Sequence, residues 1–134
     1  MKNGEKGQAL VITLFLVAFG TLVITPFLSH AGTGLIGSRL YGEAISQQYS
    51  SDAGVEHAIW DLTYGDLASQ LSSPGDNVSY QLGEAINGIT PGITVSRTDN
   101  LTYEITSMAG DKTIRAVVEI AAGTVNVLWW QITS

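Results

Sequence analysis

Cysteine is absent from this 134-residue chain, which rules out a disulfide framework, a thiolate metal site and a cysteine nucleophile. Stability must come from packing. Basic residues are scarce as well: six Lys and Arg stand against twelve Asp and Glu, for a net charge of −6. Setting aside residues 1–7, which carry Lys2, Lys6 and Glu5, leaves four basic and eleven acidic residues, a net of −7. Such a balance offers no basic stripe for phosphates, so no nucleic-acid partner is expected. The two histidines, His30 and His57, are isolated in sequence. The chain has no Walker loop, dinucleotide fingerprint or nucleophile motif, and Asp76-Asn77 and Asp99-Asn100 lack ligands at EF-hand spacing. No enzyme, no catalytic residue, no cofactor and no metal site is expected.

What the chain does have is one long apolar run. Ala9 to Leu28 is 20 residues without a charge. At about 1.5 Å rise per residue this makes about 30 Å of helix, the thickness of a bilayer's hydrocarbon core. Lys2 and Lys6 precede it, and the next basic residue is Arg39. The positive-inside rule then puts the N-terminus in the cytoplasm and the bulk of the chain outside, with lipid as a partner. A secretory signal peptide also begins basic and apolar, and Ser29-His30-Ala31 or Ala31-Gly32-Thr33 loosely fits its cleavage site, but its apolar region is shorter, about 7–15 residues.

The residues before the run read Gly4-Glu5-Lys6-Gly7-Gln8-Ala9-Leu10-Val11. A short charged leader that ends in Gly, directly followed by an apolar helix, resembles the signal of type IV prepilins and pseudopilins. The GQALV start is also similar to pilin-like proteins of tight-adherence secretion systems. The resemblance implies cleavage by a prepilin peptidase between Gly7 and Gln8, which removes the leader over residues 1–7 and keeps the helix over 8–29. It further implies that Ile12, Phe15, Phe19 and Val23 pack subunit against subunit, and that Pro26 marks a place where the helix kinks or melts. Major pilins carry Glu at the fifth mature position; here that position is Ile12. In related pseudopilins a missing Glu goes with the filament tip, so the resemblance points to a minor or tip subunit.

Residues 29–38 contain Gly32, Gly34 and Gly37 and read as a weak or melted helical turn or as a linker. From Arg39 a helical stripe resumes through Leu40, Ala44, Ile45, Gln48, Tyr49, Asp52, Val55, Ile59 and Leu62, with Gly65 as its stop. Within it, Asp52, Ala53, Gly54, Glu56 and Ala58 resemble the A-(D/E)-A-G-x-E-x-A segment of pilus-assembly proteins of the PilX type. Asp52 and Glu56 share a helix face; this is a solvated or inter-subunit face before it is an acid–base pair or cation site. Val55, Ile59 and Trp60 are expected to pack helix on sheet, Trp60 either there or at a subunit interface.

Asp66 to Leu71 suggests a further helical turn and Ser72 to Asn77 a loop. Beyond it the period becomes two. Val78, Tyr80 and Leu82; Ile93 and Val95; Leu101, Tyr103 and Ile105; and Ile114, Ala116, Val118 and Ile120 alternate with polar neighbours, and Thr124 to Thr133 closes the series. Ala109-Gly-Asp-Lys112 reads as a hairpin turn. Asn77-Val-Ser79 and Asn100-Leu-Thr102 are glycosylation sequons.

The expected fold is therefore α+β and pilin-like. A long N-terminal helix over residues 8–64, with an interruption allowed at 26–38, lies on an antiparallel sheet of four or five strands in residues 65–134. The expected function is a pilin-like structural subunit, membrane-anchored and then assembled into a type IV pilus or pseudopilus. Its partners would be copies of itself or other pilin subunits, the prepilin peptidase and the assembly machinery. The alternatives are a single-pass membrane protein with a small binding ectodomain that does not polymerise, and the major building block of a filament outside the standard pilin families.

Overall fold

The structure, a computed structural model, describes residues 4–134, with side-chain surroundings from Gln8 onward. Of the leader expected over residues 1–7, residues 1–3 lie outside the described residues, and of 4–7 the backbone alone is described. Helix α1 runs from Gly4 to Tyr64, and a one-turn helix α2 spans Leu67–Gln70. Five strands follow: β1 Asn77–Gln81, β2 Gly92–Arg97, β3 Thr102–Ala109, β4 Lys112–Ala121 and β5 Thr124–Thr133. They form one antiparallel sheet in the order β1-β2-β3-β4-β5, a plain meander. The layout is α+β, with one long apolar N-terminal helix and a five-stranded antiparallel sheet.

The interruption allowed at residues 26–38 is not there: α1 passes through Pro26, Gly32, Gly34 and Gly37. Proline removes one N–H and crowds the preceding turn, and glycine costs about 1 kcal/mol against alanine. Neither forbids helical backbone angles, so three glycines and a proline weaken the helix without ending it. It ends at Tyr64, where the Gly65 N–H closes the last turn on the Asp61 carbonyl at 3.0 Å.

The chain divides into two compact units, residues 1–41 and 42–134. In the second, the alternation of the strands puts one face of the sheet into the core. Ile93 and Val95, Tyr103 and Ile105, and Ile114, Ala116 and Val118 are buried there. They meet Val55, Ala58 and Leu62 of α1 and Leu67 and Leu71 around α2. Ile59 packs against the edge of this cluster. Trp60 does not: it is 58% exposed. At about 100° per residue it lies some 200° around the helix from Ala58, which sits on the seam.

Small residues set how closely α1 approaches the sheet. Ser50 and Ser51 are fully buried. The Ser50 hydroxyl lies 2.6 Å from the Ile86 carbonyl and 2.8 Å from that of Ser46, and the Ser51 hydroxyl donates to the Lys112 carbonyl at 3.0 Å. Gly54 faces Ser107 of β3 and Ile93 of β2 so closely that a Cβ there would overlap the Ser107 hydroxyl and lie 3.2 Å from Ile93 Cγ1.

Two turns fix strand register. Gly110, at φ +61°, takes the first central place of the β3–β4 hairpin, where a II′ turn favours glycine. Asn87 and Gly88, at φ +52° and +78°, sit between Ile86 and Ile89, whose N–H and C=O groups exchange bonds of 2.8 and 3.0 Å. This I′-type turn presents the Ile86 carbonyl to Ser50.

Arg97 ties the loops at one end of the sheet. Its guanidinium donates to the carbonyls of Leu71 and Ser72 at 2.8 Å each, Asn100 at 2.6 Å and Asp99 at 3.2 Å, and it lies 5.9 Å from the centre of the Tyr103 ring. Lysine cannot match this planar fork. Both Arg97→Ala and Arg97→Lys are expected to destabilise the second unit, the alanine variant by about 2–3 kcal/mol. Chemical denaturation followed by tryptophan fluorescence checks this; equal stability of parent and alanine variant would dismiss the hub.

Candidate functional site

The feature that sets this molecule apart is the surface of α1 in the first unit. From Gln8 to Tyr41 every residue is exposed except Gly20 and Gly32, which are half-buried. Leu10, Leu14, Phe15, Leu16, Phe19, Leu22, Phe27 and Leu28 are each at least 65% exposed. Ile12 and Val23 are exposed too. The helix is long and apolar enough to cross a membrane, and it lies near the N-terminus. Its apolar residues go all round, so no single stripe faces a core; a helix of this kind belongs in an apolar medium or against other helices.

The threonine side chains on this segment bond back to their own helix. The hydroxyls of Thr13, Thr25 and Thr33 donate to the carbonyls four residues back, those of Ala9, Thr21 and Ser29, at 2.5, 2.6 and 2.8 Å. Thr21 reaches the carbonyls of Val17 and Ala18 at 3.1 and 2.9 Å. Lipid provides no other partner for such groups. None of the four serves the Leu22 carbonyl, which Pro26 deprives of its helical donor.

Five glycines on α1, Gly20, Gly32, Gly34, Gly37 and Gly42, have open space where a Cβ would stand. Nothing among the described residues requires their lack of a side chain. Gly54, by contrast, is required by the sheet.

The residues singled out in the sequence fall into three places. Gly7 and Gln8 lie within the first turns of α1. Ile12, Phe15, Phe19, Val23 and Pro26 lie on its exposed apolar part. Asp52 is half-buried and Glu56 exposed, on the helix that covers the sheet. Val55 is fully buried, Ile59 partly so, and Trp60 makes a tilted ring pair with Tyr64, centroids 6.2 Å apart, outside the core. Asn77 opens β1 and Asn100 lies in the β2–β3 loop, both exposed. Among the described residues no three His, Asp or Glu side chains gather as a metal site.

One titratable group is strongly perturbed. Tyr80 on β1 is half-buried, with its hydroxyl 3.4 Å from His57 Nδ1. Burial, and secondly the negative charge of Asp61, push it up from 10.0 to about 12. The folded state thus holds this proton more tightly than the unfolded chain. Its contribution to stability is complete below pH 10 and is lost as pH rises from about 10 through 12. The unfolding midpoint of the parent is expected to fall across that window more steeply than that of Tyr80→Phe; identical slopes would acquit Tyr80.

Two features escaped the sequence reading. The Asn87-Gly88 dipeptide between two isoleucines is a strong turn signal and locates the Ser50 contact. The exposure of β5 carries no such signal, because its residues read as a half-buried strand like the others. The chain matches no protein-family model, no curated protein and no solved structure.

Proposed function

We propose that this protein is a pilin-like structural subunit, held in the cytoplasmic membrane by α1 and then assembled, through that helix, into a filament of the type IV pilus or pseudopilus kind. The observation that carries this reading is the helix that exposes apolar residues on every side and leaves five glycines open to a neighbour. Small residues are what helices use to approach one another in lipid. Two sequence features add to it. Gly7 before the apolar run suits a cut that spares the helix, and Pro26, which has no N–H for the Leu22 carbonyl, marks where the helix would give way when subunits pack. Ile12 in place of a charged residue favours a minor or tip position, since no carboxylate is there to pair with a neighbour's amine.

The exposed helix equally suits a single-pass anchor that never polymerises. Intact mass of the native protein separates the two. The subunit reading expects a species beginning at Gln8, and Gly7→Val is expected to accumulate the unprocessed form. A native species beginning at Met1 favours the plain anchor.

A further inference from the structure

We propose that β5 is a dimerisation edge, pairing antiparallel with β5 of a second copy about a two-fold axis at Gln131. The observation is independent of α1. Strand β5 is an edge of the sheet, ten residues long, with an unpaired backbone along its outer side. Val127, Leu128, Trp129, Trp130 and Ile132 are between 38 and 57% exposed. Register fixes their faces. Trp130 and Ile132 lie opposite the buried Ala116 and Ile114, on the core face beyond the helix's cover, and Trp129 lies opposite Val117 on the other face. Native sheets guard such an edge with charges, prolines or short strands. Here Thr124–Ser134 has no charge and no proline; its one irregularity is the bulge that leaves Leu128 without a partner.

The occupant follows from chemistry and length. Apolar residues on both faces call for a strand beside β5, since a helix or a flat surface covers one face. In a chain of net charge −6, this uncharged stretch is where two like-charged copies approach at least electrostatic cost. The other free edge, β1, has five residues, and its apolar Val78 and Tyr80 are already half-buried. Of the two edges, β5 is the one that keeps large apolar side chains exposed on both faces. Beyond the bulge the regular segment is Trp129–Thr133, whose middle is Gln131. A two-fold axis there puts Trp130 opposite the partner copy's Ile132 twice over, an aromatic and β-branched cross-strand pair. At roughly 150–250 Å² for a large side chain, the exposed fractions of Leu128, Trp129, Trp130 and Ile132 leave on the order of 350 Å² of apolar surface per copy. Two copies with their paired backbones reach the lower end of specific interfaces, about 1,000 Å².

The absence of cysteine makes the test clean. Gln131→Cys and, on the opposite edge, Gln81→Cys are prepared in the full chain in detergent micelles and mildly oxidised. Gln131→Cys is expected to form a disulfide dimer at least tenfold more than Gln81→Cys, and adding Ile132→Lys is expected to bring it down to the Gln81→Cys level. Should Ile132→Lys lose its tryptophan near-UV signal, Thr133→Lys takes its place. Equal cross-linking at both edges, or cross-linking at 131 that a lysine leaves unchanged, overturns the pairing. So does quenching of Trp129 and Trp130 by brominated lipid in a Trp60→Phe chain without any cross-link, which would assign the edge to a lipid surface. Copies that associate through α1 while Gln131→Cys stays reduced overturn the pairing and leave the helix-packing reading intact.

Discussion

Gly54→Leu is expected to unfold the sheet-bearing unit or cost it more than about 3 kcal/mol, because overpacking a closed seam forces backbone apart. The nearest atoms to an added Cβ are the Ser107 hydroxyl and Ser107 Cβ, the latter at 3.1 Å, with Ile93 Cγ1 at 3.2 Å. These belong to two adjacent central strands, whose positions the ladder fixes on both sides. Gly54→Ala meets the same first contacts, but regains about 1 kcal/mol of helix propensity. Its net loss is expected at about 1–2 kcal/mol. Ser107 offers a control. Its hydroxyl is buried without a hydrogen-bond partner among the described residues. Ser107→Ala is therefore expected to stabilise by about 1 kcal/mol, and to reduce the cost of Gly54→Ala when the two are combined. Denaturation of the four proteins of this cycle measures the coupling. A Gly54→Leu protein as stable as the parent would show that the seam is not closed.

Phe19→Asp is the second large effect, and it acts on the other unit. Phe19 lies near the middle of the uncharged run and is 65% exposed. A carboxylate at the centre of a spanning helix costs about 2.5–3.5 kcal/mol, and the lost phenylalanine adds about 0.5. The combined penalty, about 3–4 kcal/mol, corresponds to a hundredfold or greater shift away from the membrane-inserted state. The sheet-bearing unit is expected to keep its unfolding midpoint, since Phe19 belongs to the other compact unit. Membrane fractionation together with denaturation checks both halves: membrane retention like the parent's, or loss of the sheet's stability, would contradict the assignment of Phe19 to an apolar environment.

Much of the fold was legible because its two periods are clean. The apolar run, the stripe through Val55, Ile59 and Leu62, and the alternation in β2, β3 and β4 each report a surface that has to be buried or placed in lipid. The segment from Asp52 to Ala58 stood out in the sequence, and the structure gives two of its residues a packing role. Gly54 and Ala58 are among the residues where α1 touches the sheet, and Ser50 and Ser51, just before, hold it there by bonds to the Ile86 turn and to the first residue of β4. Of the two places offered for Trp60, the structure removes the core anchor that its size suggested, because its angle on the helix turns it outward. Pro26 and the nearby glycines were read as stronger breaks than they are, because each costs local energy without excluding helical geometry. The exposure of Trp129 and Trp130 could not be read from alternation: whether an edge strand is covered depends on how wide a strip of the sheet one helix can span.

The proposed function requires α1 to pack against its like outside the cell. Its most direct measurement is photo-cross-linking from Phe19 in the native organism, followed by fractionation of sheared extracellular material. The account predicts the chain in the sheared, high-mass fraction, cross-linked through position 19 to another pilin-like helix. Recovery only from the membrane fraction, as monomers cross-linked to lipid alone, would contradict it.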